Sequence, residues 1–246
     1  MKTALLMLGL MLGSALPLSA QAFTDEFNTG KINESEWTVS HGKAPQDGLF
    51  DPANLDLSNG LLCLRVNQSH GPNGIVSSGG EIVSKRLFGY GTYEFTMRMG
   101  STAATPDGPG KPVSGSVSAG FAYVNNSQTE IDVEYIGNEP GNVHLTTWIN
   151  PHPEKNPTEK ESDASTMAGL AESFHTYGYV WYPGHVEWYI DGKLITVHKK
   201  NVPTVPAHII LNHWGTNSNN WGGTATVGTR YMYVKKVKFT PWEGHK

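Results

Sequence analysis

Gly91-Thr92-Tyr93-Glu94-Phe95-Thr96-Met97-Arg98-Met99 alternates polar and apolar residues without a break. Side chains two apart share a face only in an extended chain. The run therefore predicts a strand with Tyr93, Phe95, Met97 and Met99 on its buried face. Further along, Val186-Glu187-Trp188-Tyr189-Ile190 and Lys193-Leu194-Ile195-Thr196-Val197 flank Asp191-Gly192. Asp-Gly tolerates the positive φ angles of a type I′ turn, so this is a two-residue hairpin. Residues 208–213 and 231–240 read as two more strands. Residues 101–115 hold three prolines and three glycines, and residues 151–163 are rich in proline and charge; both are expected to be loops. Residues 164–173 are expected to form one short helix capped by Asp163. Many short strands with turns between them and almost no helix imply an all-β sandwich. No repeat or linker divides the chain.

Residues 1–22 stand apart. Lys2 precedes an apolar run that ends before Gly13 and Pro17, and Ala20-Gln21-Ala22 has the small-residue spacing of a cleavage site. The segment reads as a secretory signal peptide, too short to span a bilayer. Residues 23–246 are then one exported domain, secreted or periplasmic, without a membrane anchor. The net charge is −4, and loss of Lys2 with the leader makes it one unit more negative. Such a balance argues against nucleic acid as a partner. The single cysteine, Cys63, lies in an apolar run and is expected to be a small buried hydrophobe. Without disulfides the domain relies on its core, which a chain of this length can build. A monomer is expected.

The chemistry is concentrated in Gln128-Thr129-Glu130-Ile131-Asp132-Val133-Glu134-Tyr135-Ile136-Gly137. On a strand, Glu130, Asp132 and Glu134 share one face, and Ile131, Val133 and Ile136 are assigned to the core. Three like charges in a row contribute nothing to a sheet, which is stabilised by apolar or opposite-charge neighbours. Retaining glycoside hydrolysis does use paired carboxyls, one as nucleophile and one as acid then base, about 5–5.5 Å apart. Residues i and i+4 of a strand are about 13 Å apart at Cα. Long glutamate side chains leaning across a sugar ring close that gap, and the aspartate between them holds their pKa values apart. A solvated acidic face and a calcium site are the other readings, although calcium ligands usually come from a curving loop.

The run resembles the E-x-D-x-E signature of glycoside hydrolase family 16. Similar stretches follow the family order: 88–94, 115–121, 174–181 with 186–192, and 211–215. The resemblance implies a jelly-roll sandwich with a carbohydrate cleft and no cofactor. It implies Glu130 as nucleophile, Glu134 as acid/base and Asp132 as assisting residue. The uninterrupted spacing is that of the lichenase-like and xyloglucan-active branches, and it favours an endo-β-glucanase acting on β-1,3-1,4 or β-1,3 glucan. Transglycosylation, hydrolysis of another β-linked polysaccharide, a carbohydrate-binding protein without turnover and a metal-dependent lectin are the alternatives. Trp214, Asn212, Glu81, Tyr123 and Trp221 are the candidate sugar contacts, with His144 and Trp148 following the carboxylate strand. His175 is expected to be structural. The lichenase pattern has a tryptophan and an aspartate where Gln128 and Thr129 stand, and an arginine where Val83 stands, so the resemblance leaves the polysaccharide open. Lys235 occupies the family's usual calcium-ligand position, and no metal is expected there.

Overall fold

The computed structural model describes residues 21–57, 60–154 and 159–244. The expected leader therefore lies, apart from its last two residues, outside the described residues. Five short strands come first: β1 (Phe23–Asp25), β2 (Trp37–Val39), β3 (Gly42–Lys43), β4 (Leu49–Phe50) and β5 (Leu55–Asp56). Six longer ones follow: β6 (Leu62–Gly71), β7 (Gly74–Phe88), β8 (Gly91–Ser101), β9 (Ser116–Val124), β10 (Thr129–Ile136) and β11 (Asn142–Ile149). The remainder are β12 (Glu159–Thr166), β13 (His175–Tyr182), β14 (His185–Ile190), β15 (Lys193–His198), β16 (Ala207–Gly215) and β17 (Gly228–Pro241).

Pairing sorts them into two sheets. One runs β12-β11-β10-β9-β16-β7-β2. The other runs β15-β14-β13-β8-β17-β6, with β1 beside the end of β17. β7 belongs to both: residues 74–78 pair with β6, and residues 80–88 pair with β16. At the crossover the backbones close up, and a Cβ on Gly79 would stand 2.3 Å from the His213 carbonyl oxygen. Only glycine permits that approach.

The core lies between the sheets. Tyr93, Phe95, Met97 and Met99 are all fully buried, as the alternation of β8 requires. Tyr93 stacks on Tyr179 at 4.5 Å between ring centres. Ile131, Val133, Leu145, Ile209 and Leu211 meet this layer from the opposite sheet. Arg98, on the polar face of β8, is nevertheless buried. Its guanidinium donates to the carbonyls of Ala171 (2.9 Å) and Pro106 (2.7 Å), so two loops cover it. Cys63 is buried as expected, and burial pushes its thiol up to about 12.

Three expectations need correction. Residues 164–173 form no helix: β12 runs through Thr166 and turns follow. For the same reason residues 159–163 are strand rather than loop. The cause is tertiary, because β11 leaves an edge that β12 satisfies in continuous register from Asn142↔Thr166 to Ile149↔Glu159. Asp163 caps nothing; it accepts the Thr196 hydroxyl at 2.6 Å. Ile136 does not join the main core either. It has the parity of the carboxylates and packs in a smaller cluster with Phe50, Val117 and Trp214, while Tyr135 takes the core position.

The Asp191-Gly192 hairpin forms as read, with φ of 50° and 76°. Gly192→Ala places a Cβ in the left-handed region and is expected to cost about 1 kcal/mol. A urea midpoint unchanged from the parent chain would contradict that assignment.

Candidate active site

β10 lies inside its sheet, between β9 and β11. Parity sends Ile131 and Val133 into the core, fully buried, and turns Glu130, Asp132 and Glu134 to the other face. The residues across from this row define its surroundings. On β9 they are Tyr123, Phe121 and Ala119; on β11 they are Trp148, Thr146 and His144. Beyond β9, Ile210 and Asn212 of β16 and then Glu81 of β7 extend the same face. A cleft of about 480 Å³ opens over it, lined by the three carboxylates, Glu81, Tyr123, Phe121, Asn212 and Trp214. Lys43, Pro45 and Phe50, from the chain around β3 and β4, close one side.

The three acids have unequal environments. Glu130 is half-buried and accepts a short hydrogen bond from the Ser127 hydroxyl, in the turn before β10. Burial raises it above the ordinary carboxylate range, and Ser127 opposes the rise. Asp132 is only 2% exposed and accepts the Trp148 indole N–H at 2.8 Å. Burial and then the charges of both neighbours hold it well above its usual value. Glu134 is pushed up to about 8, first by burial and then by Glu130, with the Lys160 ammonium pulling the other way. Desolvation disfavours the charged form of a carboxyl and a like charge adds to that. Near neutral pH Glu134 is thus poised to keep its proton and burial pushes Asp132 the same way, while the Ser127 hydroxyl favours the ionised form of Glu130. That pair of states suits nucleophilic attack combined with general-acid catalysis.

The expected contacts divide. Glu81, Asn212, Tyr123 and Trp214 do line the cleft. The Glu81 carboxylate accepts from Ser40 Oγ (2.6 Å) and Asn212 Nδ2 (3.0 Å). Asn212 is buried, and its Oδ1 has no partner among the described residues. Trp214 combines both roles weighed for it, facing the cleft while packing against Phe50, Val117 and Ile136 with only 9% of its surface exposed. Trp221 stands beside the cavity rather than in it, edge-on to His144 at 4.9 Å. No residue of the 101–115 loop lines the cavity. Its last residues brace the 216–223 loop, with Gly115 N–H donating to Gly222 and Thr216 N–H to Gly115. His175 is structural as expected: its ring lies 2.7 Å from Asp191 and ties β13 to the hairpin tip. Lys43, Phe50 and Phe121 are cleft residues that sequence reasoning misses. Phe121 shares the alternation that places Tyr123, whereas Lys43 and Phe50 come from two-residue strands without a periodic signal.

The sequence model of glycosyl hydrolases family 16 matches residues 32–233. The chain belongs to glycosyl hydrolase family 16. The matched region contains the whole carboxylate row and the cleft. A β-glucanase of Paenibacillus polymyxa is 33% identical over 231 residues, covering 88% of this chain and 80% of the relative. A β-glucanase of Acetivibrio thermocellus is 30% identical over 223 residues, covering 87% of this chain. The match spans 61% of that relative's length. The all-β jelly-roll architecture is shared with the Bacillus licheniformis β-glucanase (TM-score 0.75, 24% identity, 90% of this chain and 98% of the other). A β-1,3-1,4-glucanase (lichenase) from a mouse hindgut metagenome gives a TM-score of 0.76 at 20% identity, covering 90% and 99%.

Proposed function

We propose that this protein is an exported, retaining endo-β-glucanase acting on mixed-linkage β-1,3-1,4 or β-1,3 glucan. The observation that carries the reading is the row on β10, three carboxyls of one strand lining one cleft, with burial pushing Glu134 up to about 8 and the Ser127 hydroxyl favouring the ionised form of Glu130. The β-glucanase relatives support glucan as the substrate. Glu130 attacks the anomeric carbon while Glu134 protonates the departing glycosidic oxygen. The C1–O bond to the leaving sugar breaks and a glycosyl ester to Glu130 forms. Glu134, now ionised, takes a proton from water, which attacks C1 and releases Glu130. Asp132 tunes the two glutamates between these steps. Trp214 offers an aromatic face to a sugar ring, and Glu81 with Asn212 offers acceptors and donors to its hydroxyls. An open groove on one sheet face accepts a chain in its middle, as endo action requires. No cofactor enters the scheme.

Reducing ends released from barley mixed-linkage glucan, laminarin, xyloglucan, agarose and carrageenan test it. Release from the first or second is expected. Activity confined to the last three would overturn the glucan assignment. Proton NMR of the first product should show the β-anomer; an initial α-anomer would rule out double displacement. Export predicts a purified native protein that begins at or near Phe23.

A further inference from the structure

Trp148 lies directly across from Glu130 in the β10–β11 pairing, yet its indole N–H reaches diagonally to Asp132 at 2.8 Å. Diagonal cross-strand neighbours are about 7–8 Å apart, within the span of an aromatic side chain. The residue that does face Asp132 on β11, Thr146, turns its hydroxyl to Ser162 at 2.9 Å instead. On β9 the facing residue is the apolar Phe121. Lys160, across from Trp148 on β12, lays its ammonium over the indole ring, 4.7 Å from the ring centre. Glu130, Trp148 and Lys160 thus form one line across three strands, and the middle member is bonded to Asp132.

We propose that Trp148, held by Lys160, is a positioning residue that selects which oxygen of Asp132 serves the carboxylate row. The two oxygens of a free carboxyl are equivalent and exchange by rotation about χ2. The indole N–H engages Oδ2, which leaves Oδ1 to carry the proton toward the flanking glutamates. A proton directed at Glu130 stabilises that carboxylate both before attack and on its release from the glycosyl ester. The proposal rests on the hydrolase reading given above. The groups facing the row fix what else acts on it. Tyr123 on β9 faces Glu130 directly, Glu81 on β7 lies two strands beyond it, and Lys43 on β3 is 3.9 Å from Asp47. His144 on β11 is 3.1 Å from Glu139. Lys160 is the cation that depresses Glu134 against burial.

Trp148→Phe keeps the ring and the Lys160 contact but removes the N–H. It is expected to lower kcat about threefold to tenfold, the scale of one lost hydrogen bond to a neutral carboxyl, while KM stays within about twofold. If Trp148 were a sugar platform, Trp148→Phe would keep kcat and Trp148→Ala would raise KM; that pattern overturns the proposal. Lys160→Met, at an exposed position, should move the alkaline limb of kcat/KM to higher pH, and Lys160→Arg should restore it. An unmoved limb counts against the clamp. The proposal is also read without substrate, from the carboxyl 13C titration of Asp132. The midpoint should rise in Trp148→Phe, because the lost hydrogen bond favours the ionised form. An unchanged midpoint rejects the clamp. Failure of the parent chain to hydrolyse any polysaccharide would reject the hydrolase reading, and the titration would still decide the role of Trp148.

Discussion

Glu130→Gln is expected to abolish glucan hydrolysis, lowering kcat on the order of ten-thousandfold or more, the scale seen when a covalent nucleophile is removed. The fold should survive. Glu130 is half-buried and its side-chain partner is the Ser127 hydroxyl, which an amide oxygen also accepts. The variant should therefore unfold at or above the parent's urea midpoint. Its partner, Glu134→Ala, separates the two half-reactions. Glu130 can still attack a substrate whose leaving group needs no proton, such as a dinitrophenyl glycoside. Without a base, the ester then accumulates, and added azide releases it as the β-glycosyl azide. Undiminished hydrolysis by Glu130→Gln would remove the nucleophile assignment. Absence of azide rescue in Glu134→Ala would remove the acid/base assignment while leaving Glu130 in place.

The second large effect concerns stability. The folded state raises Glu134 from an ordinary carboxylate value to about 8. A group whose folded pKa is raised contributes stability in its protonated form. That contribution is complete below the unfolded value, near pH 4.5, and is lost as pH rises toward 8. Above that range the chain carries a desolvated, repelled carboxylate. Glu134→Gln removes the titration. The variant should gain on the parent as pH rises from about 4.5 toward 8, reaching on the order of 2–4 kcal/mol near pH 9. A tenfold change in proton affinity corresponds to about 1.4 kcal/mol, and partial solvent access at the site reduces the total. Urea denaturation at about pH 5, 7 and 9 checks this, on either side of the transition that linkage requires. Parallel stability profiles for parent and variant would show that Glu134 is not held protonated by the fold. The same substitution removes the acid/base group, so stability and turnover should move in opposite directions.

Much of this is legible along the chain because strand parity is local. Tyr93 through Met99, the Asp191-Gly192 turn and the shared face of the three carboxylates all follow from a two-residue repeat. The repeat slips across a bulge: between Val234 and Lys236 of β17 the core face passes from Met232 and Val234 to Val237 and Phe239. Placing Ile136 in the main core breaks its own parity, and the residue belongs to the cleft side. Sequence reasoning fails where the deciding partner is remote. Ala164-Ser165-Thr166 suits a turn of helix by composition, and only the open edge of β11 makes it strand. Arg98 keeps the alternation of β8 but is buried because loops around Pro106 and Ala171 fold over it. The Trp148–Asp132 hydrogen bond depends on the register between two strands joined by a five-residue turn, which the residues of neither strand specify.

The three acids stand on one uninterrupted strand in the interior of a sheet. Their separation is therefore set by the peptide repeat itself, a ruler that tertiary shifts hardly touch. The loops that border the cleft, around Lys43, Phe50 and Trp221, hang from other strands. They can lengthen, shorten or change composition from one descendant to the next while the ruler keeps its marks. By contrast, one inserted residue between Asp132 and Glu134 would turn Glu134 into the core unless a bulge absorbed it. Substrate choice can drift freely in such a protein, whereas the distance between its two glutamates is inherited whole.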